Sequence, residues 1–377
     1  MSALFWVAIA ALIYVYVGYP VMAAVIGMCL RRDVEKRPFE PTVTLIIAAR
    51  NEAATIRKTV TNKMALDYPH SRLQIVVVSD ASSDGTDDIV RECGNDRVLL
   101  LRQQRRRGKT AALNLAVQHA TGEVLVFADA NSIYAADALR KLLRNFADPT
   151  VGYVTGRLKY VAGRQSTVGT GCRAYMAYEH RLRVWETMAG SVVGVNGGID
   201  AVRRSLYEPM NDEQLPDLVL PLSVVGRGFR VVYEPDATLI EESLSEPRAE
   251  YAMRVRVALR ALWALRDMRH LLNVRRHGLF AFQLGSHKVL RYFAFAALPL
   301  AYLGALFANG PGYRTCFVGM SLLIVLGGAG RVLERHGRAN RLLSVPYYFL
   351  LINVAAAHAV FDFLRGRNIA VWVPRLG

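Results

Sequence analysis

Residues 123–131, with the sequence EVLVFADAN, place two oxygen-bearing side chains directly after an apolar run. Continuous apolar runs bounded by turn residues are typical of strands buried on both faces of a parallel sheet. Asp129 and Asn131 are two residues apart, so on an extended chain their side chains share one face. Such hard oxygen ligands suit Mg²⁺ or Mn²⁺, which also bind phosphate oxygens. An Asx turn explains the same residues equally well, so both interpretations stay open on this motif alone.

Two earlier apolar runs also end in polar residues. Arg50 and Glu52 follow the run 43–48, and Asp80 follows the run 74–78, with Asp84 four residues later. Carboxylates at such positions can accept hydrogen bonds from a base or ribose. For Asp84 a helix-capping role is an equally good interpretation, because Thr86 and the acids after it favour a helix start. Asp80, directly at the strand end, favours a ligand role.

A basic run, Arg105 to Arg107, leads into Gly108 and Lys109, where a helix is predicted over 109–120. Backbone N–H groups and a cation at a helix start attract a diphosphate. We therefore expect Lys109 to contact a diphosphate, whereas the arginines are typical of a solvated face.

These motifs need a scaffold that brings them together, and the residues between 41 and about 245 supply its pattern. Short apolar runs alternate with amphipathic stretches, which indicates βαβ units and an α/β fold with a mainly parallel sheet. Strands are predicted at 43–48, 74–78, 98–101 and 123–128. Open α/β sheets bind ligands at the carboxyl ends of their strands, so the three acid-bearing loops are expected at one edge.

Composition narrows the class of protein. The 377 residues are 53% hydrophobic and carry a formal net charge of +16, and the mean hydropathy is +0.19. This combination favours a membrane-attached protein whose charge meets anionic lipid or phosphate-bearing ligands. We expect no nucleic-acid partner, because the chain carries no familiar binding motif. The four cysteines show no CxxC spacing, which predicts neither a disulfide framework nor a zinc site.

Four apolar segments are candidates for membrane crossing. Residues 1–30 contain no charged side chain and exceed the ~20 residues that a spanning helix needs. The basic residues that follow place the domain 41–245 in the cytoplasm by the positive-inside rule, at the inner (plasma) membrane. Further spanning candidates fall at 289–308, 316–330 and 343–364, within a C-terminal region 289–364. Between them and the domain, 246–288 is predicted to form amphipathic interfacial helices, and 365–377 a basic tail. The last span carries Asn353, His358 and Asp362, so a re-entrant or interfacial placement also stays open.

Taken in order, the motifs resemble the membrane-bound branch of the family 2 inverting glycosyltransferases, which have a GT-A (Rossmann-like) fold. That branch includes cellulose, chitin and hyaluronan synthases and bacterial exopolysaccharide transferases. The resemblance covers roughly residues 41 to 265. The segments that carry it are AARNE at 48–52, Asp80 with DGT at 84–86, GKTAALN at 108–114, DAN at 129–131, NGG at 196–198, Asp217, and the Arg254/Arg256 pair.

The resemblance implies a nucleoside diphosphate sugar donor, commonly a UDP-sugar, and a divalent cation, Mg²⁺ or Mn²⁺. Asp129 matches the first member of the family's DxD metal motif, and Asn131 replaces its second Asp. Residues at the remaining donor positions are Ala48, Arg50, Glu52, Asp80, Lys109 and Arg254.

The resemblance also implies the groups that act on the acceptor. Asp217 matches the general base that takes a proton from the acceptor hydroxyl, although a helix N-terminal acid explains it too. Arg256 matches the arginine of the family's QxxRW motif, which helps to hold the diphosphate as well as the acceptor end, although the motif's Gln and Trp are absent here. A basic amphipathic helix lying on the membrane is the alternative interpretation. Asn196 and Gly197 match an acceptor-side loop, and a tight turn is the alternative.

The sequence therefore predicts a multi-pass membrane glycosyltransferase that acts on a lipid-linked or polysaccharide acceptor, in contact with membrane lipids and other polysaccharide-synthesis proteins. Two rivals remain. One is a transferase that glycosylates a membrane lipid directly. The other is a catalytically weak sugar-nucleotide-binding subunit of a synthase complex, which the substitutions at Asn131 and in the QxxRW motif favour.

Overall fold

A computed structural model of the chain describes residues 2–94, 97–161, 166–242 and 246–368. The contacts divide it into two compact units. A sheet unit comprises Leu30–Tyr160 and Glu186–Glu241, and a helical unit comprises Met1–Cys29, Val161–Trp185 and Glu242–Asn368. Most of the basic tail expected at 365–377, from 369 onward, lies outside the described residues, as do 243–245 at the predicted end of the catalytic domain.

The sheet unit is built on one eight-stranded mixed sheet. Its strands are β1 (Val43–Ala49), β2 (Leu73–Ser79), β3 (Val98–Arg102), β4 (Val124–Asp129), β5 (Ile133–Tyr134), β6 (Val151–Val161), β7 (Ile199–Arg203) and β8 (Arg230–Glu242). Their order is β3-β2-β1-β4-β7-β6-β8-β5. Strands β3, β2, β1 and β4 are parallel. The pairs β4–β7, β6–β7 and β5–β8 are antiparallel. The predicted α/β fold is confirmed, with parallel pairing in the half that the sequence pattern covered.

The parallel half forms for a simple reason. Every residue of β1 is buried, and β2 is buried except for Gln74. Because strands of a parallel sheet are covered on both faces, their sequences are near-continuous runs of Val, Ile and Leu that do not alternate with polar residues.

The helices of the sheet unit are α3 (Ile56–Met64), α4 (Thr86–Gly94), α5 (Lys109–Gln118), α6 (Ala138–Leu143) and α8 (Pro216–Gly226), and α7 (Thr167–Ala189) ends in it. As expected, the carboxyl ends of β1, β2 and β4 meet at one edge.

The helical unit contains α1 (Ser2–Ile13), α2 (Tyr19–Leu30) and most of α7. Its C-terminal helices are α9 (Pro247–Asp267), α10 (Val274–Gln283), α11 (Leu290–Phe293), α12 (Ala297–Phe307), α13 (Pro311–Arg335) and α14 (Arg341–Leu364). Within the described part of the chain, four helical stretches could cross a membrane by length and composition: Ser2–Leu30, Val274–Phe307, Pro311–Arg335 and Arg341–Leu364. The second begins fifteen residues before the predicted segment at 289, because a π-helical turn, Leu284–Val289, joins α10 to the helices that follow.

Polar side chains of α14 are paired within the helical unit. The Tyr16 hydroxyl donates to Asn353 Oδ1 at 2.9 Å. Asp362 lies 2.9 Å from an Arg367 nitrogen and 3.4 Å from His358. Such pairing offsets the cost of polar groups in an apolar helix, and α14 is continuous over its whole length.

Candidate active site

The loops after β1 and β2 are joined by hydrogen bonds into a cradle, defined here as residues 50–53 and 80–86. Arg50 Nη1 donates to the carbonyl oxygens of Asp80, at 2.7 Å, and Ala81. The backbone N–H of Glu52 donates to Thr86 Oγ1 at 2.9 Å, and that of Ala53 to Asp84 Oδ2 at the same distance. These bonds fix both predicted donor loops relative to one another. Asp84 Oδ1 also accepts from the N–H of Thr86, the first residue of α4, at 3.1 Å, so Asp84 satisfies a backbone donor at the helix start.

Asp80 links the cradle to the next part of the site. Its side chain is buried, and it accepts from the backbone N–H of Arg107 at 2.7 Å and of Gly108 at 3.0 Å. Gly108 has a φ of +93°, which favours glycine and turns the chain into α5. Asp80 therefore positions Lys109, the first residue of α5. Its direct contact with the donor stays a prediction.

The ammonium of Lys109 lies between two carboxylates. Its Nζ is 2.9 Å from Asp129 Oδ1 and 3.4 Å from Asp217 Oδ1, and it donates to the carbonyl oxygen of Gly197 at 3.3 Å. Burial alone lowers the pKa of Lys109, but the adjacent Asp129 and Asp217 raise it above its ordinary value, so the ammonium stays charged. Three acceptors use its three protons.

Each partner of Lys109 is brought there by a different element. Asp129 ends β4, and Ala48 on β1 lies directly opposite it in the parallel register. Asp217 is the second residue of α8, which begins at Pro216. Gly197 precedes β7, the antiparallel neighbour of β4. The side chains of Asp129 and Asp217 are 35% and 31% exposed, so both are accessible to a ligand.

The glycines of the NGG segment make room for carboxylates. A Cβ on Gly197 would overlap Asp217 Oδ2, and the residue has a φ of +83°. A Cβ on Gly198 would lie 3.2 Å from Asp129 Oδ2 and 3.3 Å from Glu241 Oε1. Protein carboxylates therefore approach both glycines of this segment closely. Asn196 donates from its side chain to the Gly156 carbonyl, and its contact with an acceptor stays a prediction.

Asp200 is a site residue that the sequence motifs missed. It is fully buried on β7 and accepts from the Gly197 N–H at 2.8 Å. Burial, followed by the charge of Asp217, raises its pKa from 3.8 to about 7, against the hydrogen bonds that it accepts. An acidic residue inside an apolar strand was the available signal, but its neighbours depend on the β4–β7 pairing.

The two predicted arginines lie on α9 of the helical unit. Arg254 Nε donates to Glu250 Oε1 at 2.8 Å, and its guanidinium lies 5.2 Å from the Tyr175 ring centroid and 5.7 Å from that of Tyr348. Burial lowers the pKa of Arg254, but Tyr348 and Glu250 raise it far above its usual range. The donor role of Arg254 and the catalytic role of Arg256 stay predictions.

Residues able to hold a cation are few. Among the residues described, no group of three or more His, Cys, Asp or Glu side chains could do so. A divalent ion at Asp129 and Asn131 would therefore take its remaining oxygens from phosphate and water, as Mg²⁺ ordinarily does. The partly exposed carboxylate of Asp129 is an oxygen ligand that fits that requirement.

A prediction for Gly197→Ala follows from its surroundings. A Cβ there adds left-handed strain of about 1–2 kcal/mol and overlaps the carboxylate of Asp217. Gly228→Ala is the matched control, because its φ is +85° and a Cβ would meet nothing within 4 Å. Thermal unfolding of the full chain should show a clearly larger loss for Gly197→Ala. Equal losses in both variants would contradict the packing described.

Asp200 makes stability depend on pH in a definite direction. Between its unfolded pKa of 3.8 and its folded pKa of about 7 the folded chain binds the extra proton. The stabilising contribution of Asp200 to the free energy of unfolding is therefore fully present below pH 4 and is lost as the pH rises to 7. The change is on the order of 4 kcal/mol, at 1.36 kcal/mol per pKa unit. The unfolding midpoint of Asp200→Asn is compared with that of the wild type at each pH. The midpoint of the variant minus that of the wild type should rise from pH 4 to 7 and level off above pH 7. A difference that does not change with pH would refute the raised pKa of Asp200.

Comparison with known proteins agrees with this geometry. The model of glycosyl transferase family 2 matches residues 44–207. The chain is 28% identical over 212 residues to poly-beta-1,6-N-acetyl-D-glucosamine synthase of Staphylococcus aureus (strain COL), covering 54% of this chain and 51% of that protein. It is 29% identical over 234 residues to the probable glycosyltransferase YdaM of Bacillus subtilis (strain 168), covering 58% and 54%. The chain thus matches about half the length of these curated relatives.

A solved structure extends the likeness to both units. The mannosyltransferase PcManGT of Pyrobaculum calidifontis, solved with GDP-Man and Mn²⁺, aligns with a TM-score of 0.72 and 25% identity. The alignment covers 97% of this chain and 99% of that one. The family 2 match covers the cradle, the DAN segment and the NGG segment, and the sheet unit has a GT-A-like mixed α/β fold.

Proposed function

We propose that the protein transfers a sugar from a nucleoside diphosphate donor to a lipid-linked or polysaccharide acceptor, with inversion at the anomeric carbon. The observation that carries the proposal is the position of Lys109 between Asp129 and Asp217. Asp129 comes after the two cradle loops in the sequence, and Asp217 lies in the first turn of α8, beside the NGG segment. The Lys109 ammonium thus contacts both the carboxylate proposed to lie beside the donor and the carboxylate proposed to act on the acceptor.

Asp217 is proposed as the general base. Inverting transfer needs a group that takes the proton of the attacking hydroxyl as that oxygen bonds to the anomeric carbon. The Asp217 carboxylate is partly exposed and interacts through Oδ1 with the Lys109 ammonium, so its other oxygen can accept the proton. The proton of the acceptor hydroxyl moves to Asp217, and the diphosphate leaves with the bonding electrons.

Asp129 and Asn131 are proposed to hold Mg²⁺ or Mn²⁺ against the diphosphate. When bound, the ion neutralises the negative charge that develops on the leaving group. Lys109 contributes a second positive charge at the same place, beside Asp129. Since all three of its protons have protein acceptors, its proposed contact with a phosphate requires one of these bonds to be exchanged.

The cradle is proposed to bind the nucleotide. Arg50, Glu52 and Asp80 stand at adjoining strand ends, and Ala48 precedes them on β1. A UDP-sugar is proposed as the donor. A GDP-sugar is the alternative, favoured by the likeness over nearly the whole chain to a protein solved with GDP-Man.

We propose a plasma-membrane location with the sheet unit in the cytoplasm. Four helices of suitable length and composition support the first part, and the basic residues from Arg31 to Arg37 support the second. An acceptor attached to, or growing at, the membrane fits such a location. A synthase that acts on polysaccharide is favoured by the Staphylococcus relative.

Removal of the proposed base should separate binding from chemistry. Asp217→Asn in the purified full chain should lower sugar transfer by about 10²–10⁴-fold, the usual contribution of general acid–base catalysis, while donor affinity changes little. Asp236→Asn is the control, since this exposed carboxylate pairs with Arg144 and makes none of the site contacts. Nucleotide release with acceptor present measures the rate. Undiminished transfer by Asp217→Asn would exclude it as the base.

A donor and cation panel tests the rest of the proposal. The full chain is given UDP-GlcNAc, UDP-glucose or GDP-mannose with Mn²⁺, Mg²⁺ or chelator, and nucleotide release is followed. We expect turnover of one nucleotide class, loss of turnover with chelator, and loss of turnover in Asp129→Ala. Donor binding without turnover under every condition would instead favour the sugar-nucleotide-binding subunit. A radiolabelled product found only in glycolipid, never in polymer, would favour direct lipid glycosylation.

A further inference from the structure

Helix α3 turns an unusual face to the interior. Its buried residues are Ile56, Thr59, Val60 and Lys63, the i, i+3, i+4, i+7 stripe that normally holds apolar side chains. Two of the four positions are polar, and Thr59 and Lys63 are both fully buried. Buried polar groups are costly unless they are hydrogen-bonded, so their partners indicate why they are there.

Those partners are backbone atoms of the segment that carries the proposed metal ligands. The Thr59 hydroxyl donates to the Ala130 carbonyl at 2.7 Å, and Lys63 Nζ donates to the Ser132 carbonyl at 2.6 Å. These two carbonyls lie on either side of Asn131. Side chains of α3 thus hold the backbone immediately before and after the neutral member of the DAN segment.

A third residue of α3 extends the same contact. Asn62 Oδ1 accepts from the N–H of Tyr134 at 2.8 Å, and its Nδ2 donates to the carbonyl of the same residue at 3.0 Å. The Tyr134 hydroxyl in turn lies within hydrogen-bonding distance of two carbonyl oxygens, those of Phe127 on β4 and Gly198, at 2.9 and 2.8 Å, and shares its one proton between them. Residues 130–134 are therefore held at three successive points and tied to the glycine segment.

Lys63 is an expensive choice for such a position. Its ammonium lies 3.8 Å from the centroid of the Tyr134 ring. Burial lowers its pKa far below the ordinary value, although nearby Glu241 and Asp129 act to raise it. An apolar side chain of similar length would fill the stripe without this desolvation cost. Methionine is such a side chain, but it could not donate a hydrogen bond to the Ser132 carbonyl.

We propose that Thr59, Asn62 and Lys63, the α3 anchor, are positioning residues for the divalent cation. By holding the backbone of 130–134 they keep Asp129 and Asn131 in place to present oxygens to one ion, although none of the three touches it. Preorganisation matters here because a neutral amide oxygen is a weak ligand whose orientation is easily lost. The inference rests on the proposed function, and specifically on the cation at Asp129 and Asn131.

Metal affinity, measured apart from turnover, tests the α3 anchor. The variants are Thr59→Val and Lys63→Met, which remove donors and keep the approximate shape. Their matched controls are Thr61→Val and Lys58→Met, on the exposed side of the same helix. Thr59→Ser keeps the hydroxyl. Mn²⁺ binding to the folded full chain with saturating UDP is measured from the paramagnetic resonance of free Mn²⁺, and UDP affinity is measured separately with chelator.

Loss of residues that orient metal ligands typically weakens metal binding by about 10–100-fold. We expect Thr59→Val and Lys63→Met to weaken Mn²⁺ binding within that range, while both controls and Thr59→Ser stay within about twofold of the wild type. UDP affinity without metal should not change. A merely structural role would lower the unfolding midpoint and leave Mn²⁺ affinity of the folded protein as it was.

Unchanged Mn²⁺ affinity in Thr59→Val and Lys63→Met overturns the inference and leaves the proposed function standing. If Lys63→Met does not fold, Thr59→Val decides, because it exchanges a single hydroxyl for a methyl group. Wild-type chain that binds no Mn²⁺, or Asp129→Ala that binds it as well as wild type, overturns the proposed metal site and the inference with it.

Discussion

The site depends on one ammonium group held between two carboxylates. Lys109 uses all three of its protons, on Asp129, Asp217 and the carbonyl of Gly197. Without that cation two carboxylates from separate elements would repel one another in a partly buried place. With it, the end of β4, the start of α8 and the turn before β7 meet at one point. Further contacts within the sheet unit hold these three segments in place around Lys109.

The supporting contacts are largely backbone contacts made by buried polar side chains. Asp80 accepts from two N–H groups of the turn before Lys109. Asp200 accepts from the N–H of Gly197, and the α3 anchor holds residues 130–134. Side chains that satisfy backbone groups in this way fix loops that otherwise have no regular structure. Precision in the site is thus obtained partly from Asp200 and the α3 anchor, which have no proposed contact with donor or acceptor.

The parallel half of the fold and several members of the site could be predicted from sequence because their signals are local. An apolar run that ends in Asp129, and a Gly-Lys step before a helix, are visible within ten residues. Asp217 needed the family resemblance, since an acid at a helix start has a common structural explanation. The role of Asp200 could not be predicted, because its neighbour Asp217 and the antiparallel β4–β7 pairing are distant in sequence. Helical periodicity places Lys63 on the apolar stripe of α3 and so predicts that it is buried. It does not predict that the Ser132 carbonyl is its hydrogen-bond partner.

The most direct measurement is a structure of the full chain with Mg²⁺ and an unreactive analogue of the accepted donor. We expect Mg²⁺ on Asp129 at about 2.1 Å from a carboxylate oxygen, the usual distance for this ion. We also expect that diphosphate oxygens share the ion and that the Asp217 carboxylate faces the anomeric carbon from the side opposite the diphosphate. Mg²⁺ bound away from Asp129, or Asp217 turned away from the sugar, would contradict these expectations.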